Sequence, residues 1–149
     1  MSETGLVVLI VPAFFVCFGL LWSAIVFLSS RLSGWATLAR HYPGSEPQGG
    51  QSWHWTSAQF SWFASYRNIL TVNVSPSGLF LRPILVFRIG HEPLLIPWHA
   101  ITNGQRTNLF FTQGFRIEVS VPGSQRTKSI AFYGKGLADA LEAQVGTSR

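Results

Sequence analysis

Charge is what this sequence has least of. Only 11% of its 149 residues are Asp, Glu, Lys or Arg, against roughly a quarter in ordinary soluble domains. Aspartate occurs once, as Asp139, within a small-residue helical pattern near the C-terminus. A hydrolase triad needs a buried acid beside a histidine and a nucleophile, and no such set can be assembled around it. Glu46, Glu92, Glu118 and Glu142 fall on a linker, a turn, an exposed strand face and a helix, so no paired-carboxylate acid–base site emerges. Cysteine is equally scarce. With Cys17 alone, neither an intrachain disulfide nor a cysteine-based metal site can form, and the redox compartment is not encoded. His41, His54, His91 and His99 lack ligand spacing and read as surface or strand-end residues, His91 in a loop and His99 beside a strand end. Gly134-Lys135-Gly136 is too short for a phosphate-binding loop, and Asn73-Val74-Ser75 is a chance match to a glycosylation sequon. These absences argue against an enzyme, a cofactor, a metal and a small-molecule substrate.

What the chain does contain is a long apolar run. "LVVLIVPAFFVCFGLLWSAIVFL", residues 6–28, carries no charged side chain. As a helix it would extend roughly 34 Å, enough to cross a bilayer core of about 30 Å, with Pro12 tolerated near its start. A cleaved signal peptide would have a basic start, a shorter apolar core and small residues at the cleavage site. The tail Met-Ser-Glu-Thr-Gly and bulky Val16 before Cys17 do not fit one. The expectation is a short tail (1–5), a transmembrane helix (6–28), a juxtamembrane helix and linker (29–51) and a β-domain (52–149). All 11 Lys and Arg lie from Arg31 onward. The positive-inside tendency then puts the N-terminus outside and the domain in the cytoplasm. Gly19 and Ser23 form a small-xxx-small pair of the kind that lets helices approach.

After the span, Leu32, Trp35, Leu38, Ala39 and Tyr42 recur at helical spacing. Two readings fit this stripe: a helix lying on the membrane surface, with Arg31, Trp35, Arg40 and Tyr42 at the interface, or a helix packed against the domain. Pro43 ends it, and "PGSEPQGG" predicts a flexible connection.

From Ser52 the apolar period shortens to two. Strands are predicted over "WHWTSAQFSWF", "NILTVNV", "LFLRPILVF" (interrupted at Pro83), "LLI", "TNLFFT", "FRIEVSV" and "RTKSIAFY", with turns at "SPSG", "NGQ", "QG" and "PGSQ". In the last strand Lys128 shares a face with Ile130 and Phe132, so its head must reach water at the strand end or a bulge must intervene. "GKGLADALEAQV" predicts a terminal helix. Seven short strands and one closing helix match the order of a pleckstrin-homology-like domain, a partly open barrel of two nearly orthogonal sheets. A lipocalin-like barrel or a sandwich would lack that single closing helix.

The succession of the apolar run, "GWATLARHYP", "YRNILTVNV", "GLFL" and "FRIGHEPLLIPWHAI" resembles a family of uncharacterised bacterial single-pass membrane proteins. From "GLFL" onward the chain is similar to pleckstrin-homology-like and GRAM-like domains. The resemblance implies a binding or scaffolding module at the inner (plasma) membrane, with no catalytic residues to carry over. Two functions then compete. One is an accessory subunit that contacts another membrane protein through aromatics such as Trp53, Trp55, Trp62, Phe63 and Trp98. The other is recognition of anionic lipid headgroups by Arg106, Arg116, Arg126, Lys128 and Lys135. Nucleic-acid binding is disfavoured, since no RNA-binding motif accompanies the interleaved aromatic and basic residues.

Overall fold

The computed structural model describes residues 2–60, 65–109, 112–123 and 125–146. The apolar run forms α1 (Glu3–Ser33), about 46 Å long at the usual rise. Ser2 caps it by accepting a hydrogen bond from the Gly5 amide at 3.1 Å, and Glu3 and Arg31 complement the helix dipole at its two ends. This one helix is long and apolar enough to cross a membrane. Gly34 stops it in the left-handed region (φ 90°), where a side chain would be strained. It also turns the chain into α2 (Trp35–His41).

The rest is one antiparallel sheet: β1 (Gln51–Gln59), β2 (Ser65–Ser75), β3 (Gly78–Pro83), β4 (Leu94–Ile96), β5 (Ile101–Leu109), β6 (Thr112–Val119) and β7 (Lys128–Tyr133), followed by α3 (Lys135–Val145). The strand order is β4-β3-β2-β1-β7-β6-β5, leaving an open sheet with β4 and β5 at its edges. Among the described residues β1 joins the two halves through the pairs Ala58–Phe132 and Gln59–Ala131 with β7. The core takes Leu70, Val72, Leu79, Leu81, Phe115, Ile117, Ile130 and Phe132 from alternating strand positions, and α3 closes over it with Leu137, Ala138 and Leu141.

Several sequence expectations change. The third strand ends at Pro83, one last bond running from the Ile84 amide to the Ile69 carbonyl at 2.8 Å, and Leu85–Phe87 becomes a 3-10 turn. "NGQ" is not a turn: β5 runs through it, with an irregularity between Ile101 and Asn103. β5 and β6 instead pair as far as Leu109–Thr112, so "QG" lies inside β6. Trp62 and Phe63, counted into the first strand from sequence, lie outside the described residues.

The segment expected to be a flexible connection is a strap. Pro43 bridges to Leu94, and the Leu95 amide donates to the Tyr42 carbonyl at 3.0 Å, so the β4 edge is covered. Glu46 pairs with Arg82 at 3.6 Å, and Asn73 Nδ2 donates to the Gly49 carbonyl and Ser52 Oγ. The strap covers Asn73 on the outer face of β2, where Thr71 Oγ1 lies 3.3 Å from His54 Nδ1 of β1, and both residues are buried.

α2 resolves the choice left open for its stripe. Trp35 and Leu38 are fully buried in the domain core. Trp35, expected at the membrane interface, is therefore corrected to a core residue: its ring packs on Phe60, Tyr66 and His91, and its Nε1–H donates to the Glu92 carbonyl at 2.8 Å. Tyr42 is half-buried and donates its hydroxyl to the Ser120 carbonyl, so it too serves the fold.

Candidate functional site

The most chemically dense region is the junction where the last three turns of α1 meet the segment linking β3 to β4. Apolar residues of α1 up to Leu21 are exposed, but Val26, Ser30 and Ser33 are buried. Trp22 donates through Nε1–H to the Val86 carbonyl at 3.0 Å, and its ring lies 5.1 Å from that of Phe87. Ser30 Oγ donates to the Gly90 carbonyl. Gly90 has φ 71°, and a Cβ there would come within 2.9 Å of the Phe27 ring, so both conformation and space require glycine.

Beneath these contacts runs a buried hydrogen-bond chain. Ser33 Oγ lies 2.9 Å from the Tyr66 hydroxyl, which lies 2.8 Å from His91 Nε2, while His91 Nδ1 is 3.0 Å from the Ile89 carbonyl. A carbonyl only accepts, so Nδ1 carries the ring proton. Neutral His91 then accepts at Nε2 from Tyr66, and Tyr66 accepts from Ser33. Burial is the main cause that lowers the His91 pKa from its ordinary value, against the raising effect of the Ile89 hydrogen bond. Burial likewise raises that of Tyr66, against the lowering effect of Ser33. Both groups are held neutral. The expectation that His91 is a surface histidine is thus overturned: it occupies the predicted loop but is 1% exposed.

Two concavities flank the junction. One, of about 390 Å³, lies between α1 and β2 and is lined by Trp22, Ile25, Val26, Leu32, Ile69 and Phe87, with Ser29, Ser65, Tyr66, Arg67 and His91 as polar members. The other, of about 480 Å³, is lined by Phe27, Ala36, Ala39 and Gly90, with Arg31, Arg40, Arg88 and Glu92 around it.

The five basic residues assigned from sequence to headgroup or partner contact do not come together. Arg106 shares the face of its partner Phe115 and is held by Asp139 and Glu142 of α3, which also raise its pKa. Arg116 is next to Phe115 on β6 and so points from the opposite face. Lys128 is exposed where β7 begins, with its side chain over Gly34, and Lys135 opens α3. Arg126 lies in the connection between β6 and β7. Arg31 and Arg40, by contrast, are exposed and converge with Arg88, which the sequence did not single out. The missed Ser33–Tyr66–His91 chain left one sequence signal: Ser29, Ser30 and Ser33 place hydroxyls at helical spacing where the apolar run ends.

A second feature stands apart from the junction. Trp55 is 67% exposed and has φ 55°, a strained conformation for a bulky residue. It sits in β1 where the register with β2 shifts between Trp53 and Thr56. Asn68, across from Ser57 at the next register shift, between Thr56 and Ala58, also has φ 55°, and Ser57 Oγ binds both its amide and its side-chain oxygen. The bulge thereby aims an indole outward. Among the described residues, no group of three or more His, Cys, Asp or Glu comes together. The chain matches no protein-family model and no curated protein.

Proposed function

We propose that this protein is a non-catalytic, single-pass membrane-anchored interaction module, an accessory subunit of a larger membrane assembly. Its β-domain is pleckstrin-homology-like; the strand order and closing helix support this assignment. It resides in a bacterial inner membrane with the domain on the cytoplasmic side, a reading supported by Arg31 and Arg40 just beyond the span.

The observation that carries the reading is the docking of α1. A tether needs only a flexible linker, yet here polar bonds from Trp22, Ser30 and Ser33 of the apolar helix, the last of them buried, fix the domain's orientation on it. Fixed orientation is useful when one particular surface must be presented to a neighbour in the same membrane. Trp55 is the surface anchor with the clearest strain and exposure, and tryptophan is the residue type most enriched at binding hot spots. The test is extraction of the full chain in mild detergent, as wild type and as Trp55→Ala. The wild type is expected to co-purify with a stoichiometric membrane partner, held about tenfold more weakly by the variant. A lone wild-type monomer, or equal recovery with both chains, counts against it.

Recognition of anionic headgroups by Arg106, Arg116, Arg126, Lys128 and Lys135 is the less favoured reading. Arg106 is already neutralised by two carboxylates, and the set is divided between faces.

A further inference from the structure

The turn between β3 and β4 exposes apolar side chains where a soluble domain would place polar ones. Leu85 is 73% exposed, Val86 56% and Ile89 42%. Together they form a small cluster that no part of the described chain covers. Its position gives it meaning. The Trp22–Val86 hydrogen bond holds the turn at the level of Trp22. Trp22 precedes the end of the apolar run at Leu28 by about 9 Å of helix rise. A bilayer that covers α1 through Leu28 therefore also reaches the height of residues 85–87. Tryptophan favours the region where acyl chains meet headgroups, so Trp22, and the turn bonded to it, lie on the acyl-chain side of that region.

The polar surroundings agree with this level. Arg31, Arg40 and Arg88 rim the 480 Å³ concavity beside the turn, with Glu92 as its one carboxylate. None of the three arginines forms an ion pair among the described residues. Arg88 donates its Nε–H to the Pro83 carbonyl at 3.2 Å, which holds it at the turn's base. Arg31 lies over the Phe27 ring at 5.2 Å. Three cations against one carboxylate leave an excess of positive charge directly behind an apolar tip. That is the order in which a membrane surface presents its complements: acyl chains first, phosphates behind them.

We infer that the residue 84–89 turn is a second membrane-contact element, inserting Leu85, Val86 and Ile89 into the leaflet where α1 ends, with Arg31, Arg40 and Arg88 binding the phosphates of its anionic lipids. This rests on the anchoring proposed above. It adds that the domain is seated on the bilayer at two points, so that it cannot swing about the helix.

The experiment uses the full chain in vesicles of phosphatidylcholine, with and without phosphatidylglycerol. In a Cys17→Ser background, a polarity-sensitive fluorophore is attached at Leu85→Cys, at Val86→Cys, or at Ser77→Cys in the exposed turn at the far end of β3. All three positions are exposed, so the labels should not disturb the core. At 85 and 86 the emission should shift to the blue and be quenched by nitroxides on lipid chains, whereas the 77 label should report water. The shift should be larger with phosphatidylglycerol and shrink when Arg31, Arg40 and Arg88 are all replaced by Gln. Emission at 85 and 86 equal to that at 77 overturns the insertion. Identical spectra with and without phosphatidylglycerol overturn the role of the arginines. Native Cys17, labelled in the otherwise unaltered chain, reports the anchor separately. If its label is quenched by deep nitroxides while 85 and 86 stay in water, the turn alone fails. If Cys17 itself reports water, the anchoring reading fails.

Discussion

The two parts of α1 are continuous in backbone and similar in hydrophobicity, but the protein uses them differently. From Glu3 to Leu21 the helix buries no residue among the described ones and exposes Leu, Val, Ile and Phe around its circumference. From Trp22 to Ser33 it is bound by an indole and two serine hydroxyls. Apolar surface alone cannot choose a rotation about a helix axis, because any face is about as greasy as the next. Directional bonds can. The lower part is therefore where orientation is specified, and substitutions there should disturb the domain while those above should not.

The sharpest contrast is between Trp35, which opens α2 just beyond the docked region, and Phe15, in the free part. Trp35→Ala removes a fully buried indole together with its bond to the Glu92 carbonyl. It should cost about 3–5 kcal/mol in urea unfolding of the full chain in detergent. Phe15 is exposed, and Phe15→Ala should stay within about 0.5 kcal/mol of wild type in the same assay. Equal losses would erase the distinction between the two parts.

Tyr66→Phe comes next. It deletes the hydroxyl that links Ser33 to His91 and leaves the buried His91 Nε2 unsatisfied, while Ser33 keeps the Ser30 carbonyl and the Trp35 amide, at a cost of about 1–3 kcal/mol. The same chain predicts a pH response. His91 has its pKa lowered by burial, so below about pH 6.5 the unfolded chain takes up a proton that the folded one resists. Stability should be fully present above that pH and decline as pH falls through the folded-state value, by at most about 1.4 kcal/mol per unit. Tyr66 acts at the other end. Its raised pKa means stability held below about pH 10 is lost as pH rises through the folded-state value. His91→Gln should flatten the acid limb of the unfolding profile and leave the alkaline limb in place. An unchanged acid limb would show that other groups govern it.

Much of the architecture was legible in the sequence because period-two and period-3.6 patterns report burial directly. Leu70, Val72 and Val74 alternate as a strand should, and Leu137, Ala138 and Leu141 mark one face of the terminal helix. The errors share a cause. "NGQ" has turn-forming composition, yet Gly104 is needed where the Phe115 ring would lie within 2.7 Å of a Cβ, so a packing demand looked like a turn. His91 and Trp35 were misplaced because both are amphipathic side chains whose polar atoms find partners far away in the chain, at Tyr66 and Glu92. Long-range hydrogen-bond partners leave no local period. The candidate junction was legible only as fragments: three serines, two arginines and a tryptophan at the end of a greasy run.

Trp22 stands on the border between the two parts of the helix, and its substitution gives the smallest but most discriminating effect. Trp22→Phe keeps an aromatic ring against Phe87 and removes only the bond to the Val86 carbonyl. A single neutral hydrogen bond is worth about 1 kcal/mol, so local opening of the turn should rise about fivefold. Hydrogen exchange at the Phe87 and Arg88 amides, which bond to the Ile84 and Leu85 carbonyls, reads that opening directly. The environment of the Val86 carbonyl decides how much more is lost. In detergent, water can replace the indole; at acyl-chain depth it cannot, and an unsatisfied carbonyl costs more. The increase in exchange should therefore be greater in lipid vesicles than in micelles. An equal increase in both would place the border in water and shift the start of the docked region above the membrane surface.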